Sequence, residues 1–308
     1  MLHATAQPLF AKAMQEHYIV GAYNACNLET LSAILDAAQA ERSPVIVQIS
    51  MGARKHLSQW PLFAQTVRLY AQAYDVPVVL QHDHCPSVEA CLEAVEAGIL
   101  SVMFDGSHLP MEENIEKTRF LAQRLHEKGG WIEAEIGKLP GFEDMVFSES
   151  AEMTTPETAR YFCEATGCDA LAVSVGTSHG GVRAPADLPF DFDRLRAIHE
   201  AIPEMPLVLH GAASLPRELI DYPNRFGGEV EPLRNCSEAD ICRSAQYGVC
   251  KANMDVDNFL CFTGAIREFF HQQPDKYDPR AYLKPAREAF CQEVRHKMRC
   301  VTRSSGRV

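Results

Sequence analysis

The amino-acid sequence predicts an α/β protein folded as a (β/α)8 TIM barrel. Eight short apolar runs recur along the chain, and amphipathic stretches of helical period lie between them. The runs are apolar at successive positions, which is typical of parallel strands that are buried on both faces. Strands regularly followed by helices favour a closed barrel over the second choice, a doubly wound open sheet.

The predicted strands are short and end in polar residues. They span 18–24, 44–50, 76–83, 100–105, 131–137, 169–176, 206–211 and 248–255. Helix-start chemistry supports the intervening helices, because Ser87, Thr155 and Ser237 each precede an amphipathic stretch and carry the side-chain oxygen of an N-cap. The segment GTSHGG is neither a GxGxxG nor a Walker loop, so a dinucleotide-binding open sheet has little support.

A single domain is predicted to span residues 1–308. A chain of this length with 46% hydrophobic residues can bury one large barrel core. From about residue 257 onward the sequence is expected to form a helical closure of the barrel. The polar tail, residues 302–308, is expected to be disordered.

Composition excludes several classes of function. The chain has 29 basic and 41 acidic residues, a net charge of −12 that argues against nucleic-acid and anionic-membrane partners. Its apolar runs fall far short of the roughly 18 residues that would cross a bilayer. The eleven cysteines show no CxxC spacing, and the first residues lack a secretory pattern, so a cytoplasmic location is predicted.

Polar or ionisable side chains stand at or near the carboxyl end of almost every predicted strand. They are Asn24, Ser50, Asp83, His84, Asp105, Glu135, His179, His210, Asn253 and Asp255. Any one of them could simply cap a helix or satisfy a core hydrogen bond. In a barrel, however, the carboxyl ends of the strands converge on one face. Three imidazoles from three strands, with an open fourth position, are the ligand set of a catalytic zinc ion.

His82 is expected to have a structural role or to support the metal ligands from behind. It precedes Asp83 and His84 in the stretch VVLQHDHC, and neighbouring side chains of an extended strand point to opposite faces. Its imidazole would then lie away from the metal ligands.

Nine segments carry a resemblance that extends over nearly the whole chain. In order they are YNACNLET, IVQISMGARKH, HDHC, SVMFDGS, EAEIGKLPGFED, SVGTSHGG, LVLHGAAS, KANMDVD and DPRAYLKPAREAF. In kind and order they resemble the class II, zinc-dependent ketose-bisphosphate aldolases, the family of fructose-bisphosphate and tagatose-bisphosphate aldolases. The resemblance implies retro-aldol cleavage of a ketose.

The resemblance also implies roles for individual residues. His84, His179 and His210 match the family's zinc ligands. Asp105 and Glu135 match residues of an outer metal position or its surroundings, which leaves room for a second divalent or a monovalent cation.

Asp83 matches the acid/base on the hydroxyl of the cleaved bond. Glu143 matches the carboxylate that moves a proton at carbon, and Asn253 matches an amide beside the enediolate. A zinc ion would stabilise that enediolate as a Lewis acid, without a lysine Schiff base.

Substrate contacts are implied by the same resemblance. They are assigned to Asn24, Ser50, Gly180, Arg183, Gly211, Ala213, Ser214, Asp255, Val256, Phe259 and Arg280. Of these, Arg183 stands where the family usually has a lysine, and Arg280 matches the arginine that reaches the distal phosphate.

Three of these positions lack a side-chain group that binds phosphate in the family. Ala213 stands where a serine hydroxyl usually holds the phosphate of dihydroxyacetone phosphate. Val256 replaces a hydroxyl residue, and Phe259 replaces a common arginine. Charged hydrogen bonds are worth about 1.5–3 kcal/mol each, so these losses should weaken an anion site considerably.

The predicted function is zinc-dependent cleavage of a ketose or ketose phosphate to dihydroxyacetone, or its phosphate, and an aldehyde. The altered positions favour a ketose whose C1 end lacks a phosphate or holds it weakly, and they leave room for an anionic group at the other end. The alternatives are a conventional fructose-1,6-bisphosphate or tagatose-1,6-bisphosphate aldolase, a zinc-dependent sugar isomerase or epimerase, and a non-catalytic binding module. The family resemblance further implies a homodimer or homotetramer, in which Arg280 could serve a neighbouring subunit.

Overall fold

The computed structural model describes residues 1–139, 152–178, 190–231 and 236–308, together with the backbone of 141–143 and 146–148. The strands within these residues are β1 (Leu2–His3), β2 (Val20–Asn24), β3 (Val45–Ile49), β4 (Val78–Cys85), β5 (Ser101–Phe104), β6 (Trp131–Ile136), β7 (Gly141–Glu143), β8 (Val146–Ser148), β9 (Ala170–Val173), β10 (Leu207–Leu209) and β11 (Val249–Met254).

The helices in the same residues are α1 (Gln7–Glu16), α2 (Leu28–Glu41), α3 (Met51–His56), α4 (Trp60–Ala71), α5 (Val88–Glu96), α6 (Met111–His126), α7 (Pro156–Thr166), α8 (Phe192–Ala201), α9 (Arg217–Asn224), α10 (Glu238–Ser244), α11 (Val256–Gln272) and α12 (Pro279–His296). A 3₁₀ turn, Ala245–Tyr247, follows α10, and a π-helical turn, Lys297–Val301, follows α12. No helix within the described ranges is both long and apolar enough to cross a membrane.

Eight parallel strands close into a barrel, as the sequence predicts. Their cyclic order is β2-β3-β4-β5-β6-β9-β10-β11, and β11 pairs with β2 to complete the ring. Each lies within a predicted strand or extends it by up to two residues. The hydroxyls of Ser87, Thr155 and Ser237 accept hydrogen bonds from the first turns of α5, α7 and α10, so the predicted N-caps are confirmed.

Two further pairings were not predicted. Strand β1 pairs in parallel with the first two residues of β4, and β7 and β8 form an antiparallel hairpin. Segments of two or three residues are too short to show a hydrophobic period.

The barrel separates two apolar cores. The larger lies between the strands and the surrounding helices. The smaller fills the amino-terminal end of the barrel, where α1 covers the opening and Phe10 packs edge-on against Trp131, with ring centroids 5.0 Å apart. The interior is therefore closed at one end, and polar groups can be approached only from the carboxyl ends of the strands.

The expectation of a disordered tail is wrong. Thr302 and Ser304 are buried, and the backbone N–H of Ile19 donates to the carbonyl of Thr302 at 2.9 Å. The hydroxyl of Ser43 donates to that of Ser304 at 2.7 Å. These polar residues are ordered because they satisfy buried backbone and hydroxyl groups beside β2 and β3.

Candidate metal centre

Strand β4 brings two consecutive ionisable side chains to the carboxyl end of the barrel. His84 has a left-handed backbone, φ 45°, and the pairing of β4 with β5 shifts register between His82 and Cys85. This conformation is costly for a residue other than glycine and is usually retained at functional sites. The irregularity lets both Asp83 and His84 reach the same group of side chains, against the alternation of a regular strand.

His82 lies outside this group. Its Nδ1 is 3.1 Å from the sulfur of Cys85, and its ring packs edge-on against Trp60 of α4. The imidazole therefore supports the outer face of β4.

His84 and His210 face each other across the end of the barrel. Nε2 of His84 lies 2.7 Å from Nδ1 of His210. The opposite nitrogens are held by carboxylates, with Nδ1 of His84 3.0 Å from Asp105 and Nε2 of His210 2.8 Å from Glu133. If each carboxylate accepts a proton-bearing nitrogen, the two lone pairs point at each other. Such an arrangement is stable only with a proton or a metal ion between them.

Asp105 and Glu135 form a second group around His84. Asp105 also accepts hydrogen bonds from the backbone and hydroxyl of Ser107, and Oε2 of Glu135 lies 4.0 Å from Nδ1 of His84. That Oε2 is buried and has no hydrogen-bond partner among the described residues. Among the described residues, two sets of groups therefore have metal-binding spacing, Asp83-His84-His210 and His84-Asp105-Glu135.

The charges in this region favour a cation. Although burial opposes it, the carboxylates of Asp83, Asp105 and Glu135 raise the pKa of His84 to about 10. Burial, reinforced by the charge of Asp105, raises the pKa of Glu135 well above its ordinary value. Burial and the nearby His84 lower the pKa of His210. The donor set of imidazoles and carboxylates fits a divalent metal, whose charge would balance these groups.

Asp83 and Asn253 lie together beside the histidines. The amide of Asn253 donates to Oδ2 of Asp83 at 2.9 Å and lies 3.0 Å from Nδ1 of His210. Asp83 is fully buried, and its Oδ2 is 3.9 Å from Nε2 of His84. A carboxylate fixed next to a candidate metal ligand can exchange protons with a substrate bound there.

Comparisons with known proteins identify the family. The model of the class II fructose-bisphosphate aldolases matches residues 4–307.

The chain belongs to the class II fructose-bisphosphate aldolase family.

Curated relatives named fructose-bisphosphate aldolase are similar to this chain over nearly its full length. Those of Treponema pallidum and Thermus caldophilus are each 40% identical to this chain. They cover 97% and 96% of it, and the alignments span 96% of either relative.

Solved structures of aldolases are also similar to this structure. The YdjI aldolase of Escherichia coli K12 superposes with a TM-score of 0.79 at 26% identity, covering 98% of this chain and 97% of its own. A putative fructose-1,6-bisphosphate aldolase from Coccidioides immitis gives 0.80 at 27%, with the same coverage. The protein is thus an aldolase, a carbon–carbon lyase of a metal-dependent family.

The aldolase site rests on a layer of polar side chains inside the barrel, which we call the inner network: Gln48, Gln81, Glu133 and Lys251. Lys251 is fully buried and donates to both oxygens of Glu133 at 2.8 Å, and its Nζ lies 3.7 Å from Oδ1 of Asp83. Gln81 donates to Glu133 at 2.9 Å, and Gln48 donates to Gln81 and to Asn253, each at 3.2 Å. Against the effect of burial, Lys251 and His210 hold the pKa of Glu133 well below its usual range.

Sequence reasoning missed the inner network, although a signal was present. Each member lies two positions before a candidate strand-end residue, as Glu133 does before Glu135 and Lys251 before Asn253. Side chains two apart in a strand point to the same side. Polar residues at these positions were therefore candidates for the same interior.

The loop after β10 presents little side-chain polarity to a substrate. Gly211 has a left-handed backbone, φ 59°, and Ala213 is buried. The hydroxyl of Ser214 donates to Glu238 at 3.2 Å and accepts from the ammonium group of Lys297. Ser214 is therefore turned toward the protein.

The first turn of α11 holds three of the predicted substrate contacts. Asp255 caps the helix by accepting from the backbone of Val256, and Asn24 donates to its other carboxylate oxygen at 3.2 Å. Phe259 packs against Phe290 of α12, with ring centroids 6.4 Å apart. The phenyl ring thus belongs to the contact between helices.

Two other predicted substrate residues form hydrogen bonds within their own segments. Ser50 caps α3 by accepting from the backbone of Ala53. Arg280 lies in the first turn of α12 and pairs with Asp278, and its side chain is 90% exposed. Nearby Tyr282 packs on Phe270 at the far end of α11, about 20 Å from Asp255 at 1.5 Å per helical residue. Within one chain, Arg280 therefore lies away from the group formed by Asp83, His84, His210 and Asn253, and its contact with the substrate stays a prediction.

Several predictions fall outside the described residues. His179, Gly180 and Arg183 are not described, and for Glu143 only the backbone is described, in β7.

Proposed function

We propose that the protein is a zinc-dependent aldolase whose ion is held by His84 and His210, with His179 as a further ligand. The supporting observation is the 2.7 Å approach of two imidazole nitrogens whose opposite nitrogens are held by carboxylates. Zinc suits this donor set because it prefers imidazole and carboxylate ligands. Asp105 and Glu135 leave room for a second divalent or a monovalent cation.

The zinc ion would supply Lewis-acid chemistry by polarising the ketose carbonyl. Asp83 accepts the proton of the C4 hydroxyl as the bond between C3 and C4 breaks. The electron pair of that bond remains on the three-carbon fragment, and the aldehyde leaves. The carboxyl group of Glu143 then donates a proton to C3, which completes dihydroxyacetone or its phosphate.

Asn253 positions the proton acceptor. Its amide holds Oδ2 of Asp83 at 2.9 Å, and its own carbonyl accepts from Gln48. This orientation leaves the amide close to the developing charge of the three-carbon fragment, where a donor is stabilising.

We further propose that the preferred ketose lacks a C1 phosphate. The support comes from the loop after β10, where Ala213 offers no hydroxyl and that of Ser214 is bonded to Lys297 and Glu238. Backbone N–H groups of Gly211 and its neighbours would be the remaining donors there. A hydroxymethyl terminus can use such donors without the charge compensation that a phosphate requires.

The second candidate is a conventional fructose- or tagatose-bisphosphate aldolase. It is favoured by the 40% identity to two fructose-bisphosphate aldolases over nearly the full chain. The isomerase and binding-module alternatives have no support in these comparisons.

A coupled assay decides between the two substrate classes. Fructose 1,6-bisphosphate, tagatose 1,6-bisphosphate, singly phosphorylated ketoses and unphosphorylated ketoses are compared by kcat/KM. We expect a ketose with a free C1 hydroxyl to exceed both bisphosphates. Turnover of either bisphosphate at micromolar KM would overturn the altered-substrate proposal and favour the second candidate.

Metal analysis tests the site itself. Purified protein is expected to contain zinc, and His84→Ala should lose both zinc and activity. His126→Ala is the matched control, because His126 also pairs with a carboxylate, Asp169, at 2.9 Å but on the surface. Full zinc content in His84→Ala would contradict the assignment.

We also infer a cytoplasmic location and a homodimer or homotetramer. All eleven cysteines are free thiols, which suits a reducing compartment. The oligomer is inferred from the family and is tested by light scattering of the purified protein.

A further inference from the structure

A second buried lysine lies behind the substrate loops, outside the barrel. Lys297 is fully buried in the π-helical turn after α12. Its Nζ lies 2.9 Å from Glu293, 3.1 Å from Asp257 and 3.3 Å from Glu238, and it donates to the hydroxyl of Ser214. We call these five residues the outer network.

The outer network joins segments that follow two neighbouring barrel strands. Ser214 lies in the loop after β10, the strand that leads to His210. Asp257 lies in the first turn of α11, which follows β11 and Asn253. Glu238 begins α10, and Glu293 belongs to α12. One ammonium group thus cross-links the loop and the helix start that carry the proposed substrate contacts.

We propose that Lys297 is a positioning residue that fixes these two substrate-binding segments and keeps the Ser214 hydroxyl away from the substrate. This inference rests on the proposed function, since it concerns the same substrate site. Lys297 does not touch the metal ligands described above, so its effect should fall on substrate binding.

The charge balance of the outer network agrees with a neutral substrate terminus. Three carboxylates surround one ammonium group, and the charges of Asp257, Glu293 and Glu238 raise the pKa of Lys297 despite its burial. The region behind the loop therefore carries no surplus positive charge. A terminal phosphate dianion would find little electrostatic support there.

Kinetics of the zinc-loaded enzyme test the proposal with the ketose that the unmodified protein turns over fastest. Asp257→Asn keeps the size of the side chain but weakens the link to α11, and Lys297→Met removes the ammonium group. Both should raise KM at least about 10-fold while kcat changes less than about 3-fold. Lys117→Met, at an exposed pair with Glu113, is the control and should change neither.

Ser214→Ala tests the orientation of the hydroxyl. Because the hydroxyl joins the loop after β10 to Lys297, Ser214→Ala should raise KM for that ketose by a factor similar to that of Asp257→Asn, and the double variant should show no further rise. A further rise of more than about 3-fold in the double variant would show that the hydroxyl also contacts the substrate, and it would overturn this part of the inference.

The remaining outcomes separate the inference from the proposed function. If Lys297→Met does not fold, Asp257→Asn still carries the test. Unchanged KM in Asp257→Asn, or a fall in kcat that matches the rise in KM, would overturn the positioning role. A preference of the unmodified enzyme for a bisphosphate would refute the proposed substrate class but leave the KM test of Lys297 intact.

Discussion

The inner and outer networks each place one buried lysine among carboxylates, but they hold different parts of the site. Lys251 lies inside the barrel with Glu133 and Asp83, whose backbones belong to strands. Lys297 lies outside with three carboxylates from helices. Strands of a closed barrel move little relative to one another, whereas loops and helix ends move more readily. We therefore propose that the inner network positions the metal-binding and proton-transferring side chains, whereas the outer network positions the substrate-binding segments.

The largest expected effect is that of Lys251→Met. It leaves the charges of Glu133 and Asp83 buried without their ammonium partner, and breaking such a pair costs about 3–5 kcal/mol. Urea unfolding should show this loss of free energy of unfolding, whereas Lys117→Met at the surface should stay within about 0.5 kcal/mol. A loss below about 1 kcal/mol for Lys251→Met would contradict the inner network as a charged unit.

Glu133→Gln should act on the metal more than on the fold. Glu133 lies 2.8 Å from Nε2 of His210, and in the proposed site it would accept the proton of that nitrogen and direct Nδ1 toward the ion. Loss of such a partner typically lowers metal affinity about 10–100-fold. We expect Glu133→Gln to lower the zinc affinity of this protein by a factor in the same range. Competition with a chromogenic chelator measures it. Glu152→Gln, which alters an exposed pair with Lys138, is the control. Equal zinc affinity in both variants would be evidence against this role.

Much of the architecture follows from the sequence because parallel strands impose convergence. The polar residues at the ends of β4, β10 and β11 had to meet once the barrel closed, and Asp83, His84, His210 and Asn253 do so. The N-caps were equally local, since Ser87 needs only its own first turn. Predictions of this kind depend on chain order and period alone.

The remainder depends on geometry that no local pattern contains. The left-handed backbone of His84 depends on the irregular pairing of β4 with β5, which a sequence pattern does not reveal. Lys251 lies in a largely apolar segment, GVCKANM, so the sequence does not mark it as part of a buried polar network. Arg280 matches a family motif, yet α11 carries it away from the site of its own chain. The tail was expected to be disordered because it is polar. Its order depends on a hydrogen bond between Ser304 and Ser43, which are distant in sequence.

The pH dependence of the free energy of unfolding of the metal-free protein tests the environment of Glu135. Burial raises the pKa of Glu135 well above its ordinary value of 4.5. Between these values the folded protein binds more protons than the unfolded chain, so the free energy of unfolding falls as pH rises. For one group the slope is at most about 1.4 kcal/mol per pH unit.

Glu135→Gln should remove that slope, because the amide resembles the neutral carboxyl. Relative to the variant, the unmodified metal-free protein should lose stability from pH 5 to pH 8, about the window above the ordinary pKa. Urea unfolding at several pH values measures the difference. The other groups are common to both proteins, so parallel curves would show that Glu135 keeps an ordinary pKa.

The smallest expected effect belongs to Arg280→Ala. Its guanidinium is exposed and pairs only with the carboxylate of Asp278 two residues before it, among the contacts of the described residues. Exposed pairs contribute little, because solvent screens them and both side chains lose freedom. Thermal unfolding should therefore match that of the unmodified protein, in contrast to Lys251→Met and Lys297→Met.

If KM nevertheless rises, the arginine must act on a neighbouring subunit, since α11 separates it from the site of its own chain. Dilution below the assembly concentration would then raise the KM of the unmodified enzyme toward that of Arg280→Ala, and an unchanged KM on dilution would exclude that explanation.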